Sequence, residues 1–284
     1  MSKLSASIIL PAYNEEECIK DVLEEIILAM HDYKELYDYE IIVVDDCSTD
    51  NTSDIVKAFG DSVIYLKNEK NMGAGASRKV GIRYSQKDII VFMDADKTYT
   101  AADIPRMLRH FPESDHVNGY RDKEMGYFRP LRKFIKALSR YLASFLVWEY
   151  IADLNTGLKA FKREKMLPYL DIVPAGFSCV TTMTLISYCV GHKFSYITTE
   201  YHLRVGQSKF HPIKDTALLF WTIFKTVGVL TPLRLILFLF TIISVPVIFR
   251  YSESVFSAFT LASLISGIYI IIMMYSAKDC MRFE

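Results

Sequence analysis

The sequence has no CxxC pair among its five cysteines, no HExxH among its six histidines, and no surplus of charge of either sign. Cys18, Cys47, Cys179, Cys189 and Cys280 are an odd, scattered set. That pattern argues against a disulfide framework or a zinc site and suits a reducing compartment. The 33 basic and 33 acidic side chains cancel, so the bulk charge gives no grip on a polyanion, and no nucleic-acid partner is expected. Internal repeats and low-complexity segments are also missing. No long apolar signal region precedes the first strand-like run, Ser7-Ile8-Ile9-Leu10. The folded part is therefore expected to stay on the side of a membrane where it is made, the cytoplasmic one.

What the chain does have is apolar residues, at 51% of 284 positions, with a mean hydropathy of +0.17. They are unevenly spread. Residues 1–212 read as an ordinary globular sequence, whereas 213–284 are dominated by apolar side chains. Two stretches stand out there, about 229–249 and 255–275, the second uncharged over 21 residues. A bilayer core of about 30 Å needs about 20 apolar helical residues. Both stretches are expected to span, joined by a short linker as a hairpin, despite Pro232, Arg234 and Pro246 in the first. A terminal arginine can snorkel. Residues 215–230, with Trp221 among them, are expected to lie in the interface plane. The alternative is a helical pair buried in a soluble core.

The first 120 residues alternate short apolar runs with helical patterns. Runs at 8–10, 40–44, 62–66 and 89–93 read as strands, with helices expected at about 15–30 and from Thr52 through Val56 and Phe59. Strands apolar on both faces, separated by helices, predict an α/β fold: a mostly parallel sheet flanked by helices. Ligands bind such sheets beyond the carboxyl ends of the strands. Asp45, Asp46, Asp94 and Asp96 all fall there. Between 129 and 147, Arg129, Arg132, Lys133, Lys136 and Arg140 recur at helical spacing beside Leu131, Ile135, Leu138 and Leu142. Two readings fit this helix, a solvated basic face or an interfacial helix beside anionic headgroups.

Carboxylates at i and i+2 after a strand, as in Asp94-Ala95-Asp96, can meet one hard cation, Mg2+ or Mn2+, whose other ligands are substrate phosphates. Surface turns also produce this pattern. Pro11-Ala12-Tyr13-Asn14-Glu15-Glu16 follows the first strand and reads either as a nucleotide-flanking turn or as a plain helix entry. Asn71-Met72-Gly73-Ala74-Gly75-Ala76 is open to the same two readings.

Together, residues 11–16, 40–52 (EIIVVDDCSTDNT), 71–76 and 94–96 resemble family 2 glycosyltransferases of the GT-A nucleotide-diphospho-sugar transferase fold. Tyr120-Arg121, 153–161 (DLNTGLKAF) and 204–209 (RVGQSK) narrow the resemblance to the polyprenyl-phosphate branch, which includes dolichol-phosphate mannose synthase and bactoprenol glucosyltransferases. The resemblance implies that Pro11, Tyr13, Glu15, Val43 and Asp45 line the nucleotide pocket. It implies that Asp94 and Asp96 hold the metal, with Ala95 touching the donor through its backbone, and that Arg121, Arg204 and Lys209 neutralise the donor and acceptor phosphates. After Asp96 the chain has Lys97-Thr98-Tyr99, without the glutamine or histidine often found near this turn, so no third metal ligand is assigned.

The expected reaction is transfer of a hexose from GDP-mannose or UDP-glucose to a polyprenyl or dolichyl phosphate, with the inversion the resemblance implies. The expected partners are the nucleotide-sugar donor, the lipid phosphate acceptor and the bilayer. A homo-oligomer is compatible with the sequence. The competing readings are a transferase acting on a polysaccharide or other hydroxyl acceptor, and a non-catalytic nucleotide-binding membrane scaffold.

Overall fold

The structure is a computed structural model that describes residues 3–124, 130–203 and 212–251, without the side chains of 122–124, 130–132, 212–214 and 244–251. Seven strands form one sheet in the order β3-β2-β1-β4-β6-β5-β7. They are β1 (Leu4–Ala12), β2 (Tyr37–Asp45), β3 (Ile64–Lys67), β4 (Ile89–Phe92), β5 (His116–Glu124), β6 (Lys159–Lys162) and β7 (Phe194–Tyr201). Among the described strands, β6 alone runs antiparallel to its neighbours. Among the described residues the α-helices around them are α1 (Ile19–His31), α2 (Thr52–Lys57), α3 (Ala74–Tyr84), α4 (Asp103–Leu108), α5 (Pro130–Val147), α6 (Arg163–Met166), α7 (Cys179–Cys189), α8 (Pro212–Leu230) and α9 (Pro232–Tyr251).

The unbroken apolar runs of the central strands are explained by two cores, one on each side of the sheet. Ile8, Leu10, Ile41, Val43 and Val91 pack with Ile19, Val22, Leu23 and Ile26 of α1 and with Ile104 and Met107 of α4. Ile9, Ile42, Val44, Ile90 and Phe92 pack on the other face with Ile82 of α3 and Met183 and Ile186 of α7. Successive strand residues point to opposite faces, so each feeds a different core. Each fully buried large aliphatic side chain contributes about 1.5–3 kcal/mol.

Strand β1 pairs with β2 on one side and β4 on the other, with Ala12 opposite Asp45 and Ile9 opposite Phe92. The winding direction reverses between β1 and β4, which is where an open sheet leaves a crevice beyond its strand ends. The 11–16 and 94–96 turns flank that crevice. Several boundaries differ from the sequence reading: β1 and β2 outrun the 8–10 and 40–44 runs, β3 begins at Ile64, and α2 ends at Lys57. The first helix begins at Ile19, not near Glu15, and the Glu15 and Glu16 N–H groups donate to Thr52 and Asp50 of the chain after β2.

A third core joins Leu146, Val147 and Ile151 to Leu185 and Tyr188 of α7 and to Ile223 and Val227 of α8. Helix α8 is therefore packed onto the α/β domain through one face. Arg234 of α9 donates from Nη1 to the Val147 carbonyl at 2.7 Å, closing the last turn of α5, and lies over the Trp148 ring. Trp221 of α8, and Leu233, Ile236, Phe240 and Ile243 of α9, are exposed. Among the described residues no helix is long and apolar enough to cross a membrane. The second expected span, 255–275, lies outside the described residues.

Candidate active site

Asp45 closes β2 with its side chain fully buried. Ser48 N donates to Oδ1 at 2.7 Å, and Ser53 and Tyr65 hydroxyls donate to Oδ2 at 2.6 and 2.7 Å. Burial opposes ionisation, but the bonds from Ser48, Ser53 and Tyr65 outweigh it and hold the carboxyl below the usual range. The sequence reading placed Asp45 and Val43 on the nucleotide pocket. In the folded chain Asp45 faces internal donors and Val43 lies in the core, and both have 0% exposure. Asp46 does different work. It accepts from Met72 N, Gly73 N and Asn68 Nδ2, which pins the 71–73 turn.

That turn is also closed from the other side. Ala76 N donates to Ala175 O at 3.0 Å, and a Cβ at Gly75 would lie 2.3 Å from Pro174 O. Of the two readings of the 71–76 stretch, helix entry accounts for these donors, since they are met within the chain.

On the β2 side of the crevice, residues 13–16 and 48–52 stitch together. Asn14 N donates to Ser48 Oγ, Thr49 N to Asn14 Oδ1, and Asn51 N to Glu16 Oε2. Asn14 takes a φ of 53°, a left-handed conformation that asparagine tolerates better than most residues. Pro11, Tyr13 and Glu15 are half-buried along this edge.

The 94–96 turn leaves β4 after Met93 N donates to Ile9 O. Cys18 at the start of α1 donates its S–H to Ala95 O at 3.0 Å. Burial, with Glu15 close by, pushes that thiol up to about 12, so it stays protonated and serves as a donor. Asp96, 7% exposed, accepts from Thr98 N and Oγ1. Lys97 takes a positive φ and pairs with Asp21. Asp94 has 30% of its side chain exposed and its Oδ1 is held by Arg78 Nη2. Its Oδ2 lies so close to the 157 backbone that a Cβ there would sit 2.1 Å away, which only glycine avoids. Among the described residues no three His, Cys, Asp or Glu side chains group to hold an ion. Two carboxylates from one turn fit a hard cation that takes its other ligands from phosphate and water, as Mg2+ and Mn2+ do.

The sequence reading assigned no role to Tyr99, Arg78, Gly157 or Lys159. Gly157 N donates to Tyr99 Oη at 2.8 Å, and the Tyr99 ring meets Tyr201 edge-on, with centroids 5.3 Å apart. Arg121 lies over the Tyr201 ring and grips Asp153 with two bonds, Nε–Oδ2 at 2.7 Å and Nη2–Oδ1 at 2.8 Å. Arg121, expected on a substrate phosphate, thus has its fork engaged by a carboxylate. His202 N donates to Thr98 O at 2.9 Å, so β7 ends against the 94–98 segment. Arg204 and Lys209 lie outside the described residues.

Beneath the site, Lys159 is fully buried and donates to Val180 O and Thr184 Oγ1, each at 2.9 Å. Thr184 also accepts from Asn118, which bonds His116, itself bonded to Ser187. Burial lowers the Lys159 pKa to about 7. An unfolded lysine titrates near 10.4, so between these values the unfolded chain binds the extra proton. Lys159 therefore contributes a rise in stability with pH from about 7 toward 10, against the opposite contribution of raised thiols such as Cys18. Lys159→Met should flatten that rise in urea titrations run at several pH values. An unchanged slope would place the titrating group elsewhere.

Several relatives share this frame. Glycosyltransferase AglJ of Haloferax volcanii is 27% identical over 232 residues, 80% of this chain and 73% of that protein. The UDP-N-acetylglucosamine–dolichyl-phosphate N-acetylglucosaminyltransferase of Methanococcus voltae is 31% identical over 182 residues, 56% of this chain and 70% of that protein. Among solved structures, Mycobacterium tuberculosis glucosyl-3-phosphoglycerate synthase, crystallised with Mn2+, UDP and glucosyl-3-phosphoglycerate, superposes with a TM-score of 0.59 at 19% identity. It covers 79% of this chain and 80% of its own, a likeness of fold. Residues 7–168, more than half of the chain, match the family described as Glycosyl transferase family 2, and the chain belongs to that family.

Proposed function

We propose that the chain moves a hexose from a nucleotide-diphosphate sugar, GDP-mannose or UDP-glucose, to a polyprenyl or dolichyl phosphate, with inversion. The observation that carries this reading is the 94–96 turn, set at the switch point of the sheet and tied by the Cys18–Ala95 bond to the edge that bears Pro11, Tyr13 and Glu15. The acceptor class is taken from the Methanococcus relative, whose name includes dolichyl phosphate.

Asp94 and Asp96 would hold Mg2+ or Mn2+, which supplies Lewis-acid stabilisation of the charge on the departing diphosphate. Pro11, Tyr13, Glu15 and the Ala95 backbone would bound the donor. Arg121, fixed by Asp153, would hold its charge beside the acceptor, while Arg204 and Lys209 would neutralise phosphate oxygens. A phosphomonoester has a second pKa near 6, so at neutral pH the acceptor is already largely a dianion. The protein then has only to orient two anions and screen their charge, and no general base is assigned.

The acceptor's isoprenoid tail is insoluble in water, which gives a reason for an anchor. We read 1–212 as the catalytic domain and 213–284 as an interfacial helix with two spans, at about 229–249 and 255–275, the catalytic side being cytoplasmic. The exposed Trp221, Ile236 and Phe240, and Phe134 and Tyr141 on α5, support contact with lipid.

The test is incubation of membranes bearing the full chain with labelled nucleotide sugars and either polyprenyl phosphate or a sugar hydroxyl acceptor. Label should enter the organic extract only with the lipid phosphate, and EDTA should stop it. Transfer to the hydroxyl acceptor alone, or to neither, would overturn the proposal.

A further inference from the structure

Arg78 sits one turn into α3, outside every segment assigned to substrate. Its side chain is 5% exposed. One Nη reaches Asp94 and the other reaches Cys179 Sγ at 3.3 Å, while the Phe92 ring lies 5.5 Å from the guanidinium carbon. Its Nε has no hydrogen-bond partner. An apolar side chain would fill this space at less cost to folding, because a buried ion pair adds little stability over a well-packed apolar substitute. Stability alone therefore does not account for an arginine with an orphaned donor.

The partner explains it better. Arg78 holds Oδ1 of Asp94, and the 157 backbone abuts Oδ2. The carboxylate is held at Oδ1 and packed closely at Oδ2, yet 30% of the side chain stays open. A ligand carboxylate that is itself hydrogen-bonded is oriented before the ion arrives, and loss of such a partner typically weakens metal binding about 10–100-fold.

We propose that Arg78 is the positioning residue that presets Asp94 for a divalent cation. The inference rests on the metal-site reading of Asp94 and Asp96 given above. Cys179 and Phe92 hold Arg78 in turn, so the preset geometry reaches back into α7 and β4.

The experiment uses the detergent-solubilised full chain and reads free Mn2+ by electron paramagnetic resonance, with UDP or GDP present. Thermal unfolding is followed alongside. Asp94→Asn should weaken Mn2+ binding. Arg78→Met should weaken it about 10–100-fold, and Arg78→Lys should restore part of the loss. Adding Arg78→Met to Asp94→Asn should cost nothing more, since residues that act through one group are not additive. If Arg78→Met does not fold, Arg78→Lys and the double variant built on Lys carry the test. Wild-type Mn2+ affinity in the Arg78 variants, with Asp94→Asn impaired, overturns this inference and leaves the metal site standing. Wild-type affinity in Asp94→Asn overturns both.

Discussion

Asp96→Ala is expected to lower transfer by about 10²–10³-fold while the domain remains folded, the loss typical when one preorganised electrostatic contact to the reacting charge is removed. The fold should survive because the bonds the carboxylate accepts from Thr98 N and Oγ1 lie within one turn. Releasing them costs about 1–3 kcal/mol. Asp94→Ala should act alike on transfer and leave Arg78 buried without its carboxylate. The measurement is initial rate at saturating donor and varied Mn2+, alongside a thermal melt. If Asp96→Ala turned over at the wild-type rate, the 94–96 turn would lose its assignment as metal site.

Asp153→Ala is expected to destabilise the chain by about 3–5 kcal/mol, the usual cost of stranding one member of a buried ion pair. Arg121 and Asp153 have side chains only 9% and 11% exposed, so water does little for the orphan. Burial alone would raise the Asp153 carboxyl. The charge of Arg121 and its hydrogen bonds, with help from Asn155 N, reverse this and hold the pKa below the ordinary value. A depressed acid contributes stability above the unfolded value of about 3.9 and loses it as pH falls through the folded one. The variant should therefore show a shallower acid limb below about pH 4 as well as a lower urea midpoint. A change under about 1 kcal/mol would mean that Arg121 finds another anion within reach.

The sheet was readable because its signal is local. The runs at 8–10, 41–44 and 89–93 are apolar at every position, as strands of a doubly covered parallel sheet are. Placement of the 11–16 and 94–96 turns followed from the same pattern, since both come straight after strands. The helix start near Glu15 was placed too early, and the partners of the Glu15 and Glu16 N–H groups, Thr52 and Asp50, lie more than thirty residues away, beyond any local pattern. Asp45 was legible as a strand-end acid, but its burial depends on Tyr65 one strand over. Arg78 gave no signal at all, and Gly157 and Lys159 entered only as part of the 153–161 motif, without roles of their own. An arginine four residues into a helix looks like any solvated one until the fold sets it against Asp94. A glycine inside DLNTGLKAF reads as a turn rather than as room for a carboxylate.

One consequence follows from the way Arg234 caps α5 and from the shared packing of Ile223 and Val227 with Leu185. Whatever α9 rests against stands at a set height from the 94–96 turn, since folded protein and not a slack tether fills the distance. Reach is then built into the scaffold, and a substrate tethered at any other depth would have to make up the difference itself.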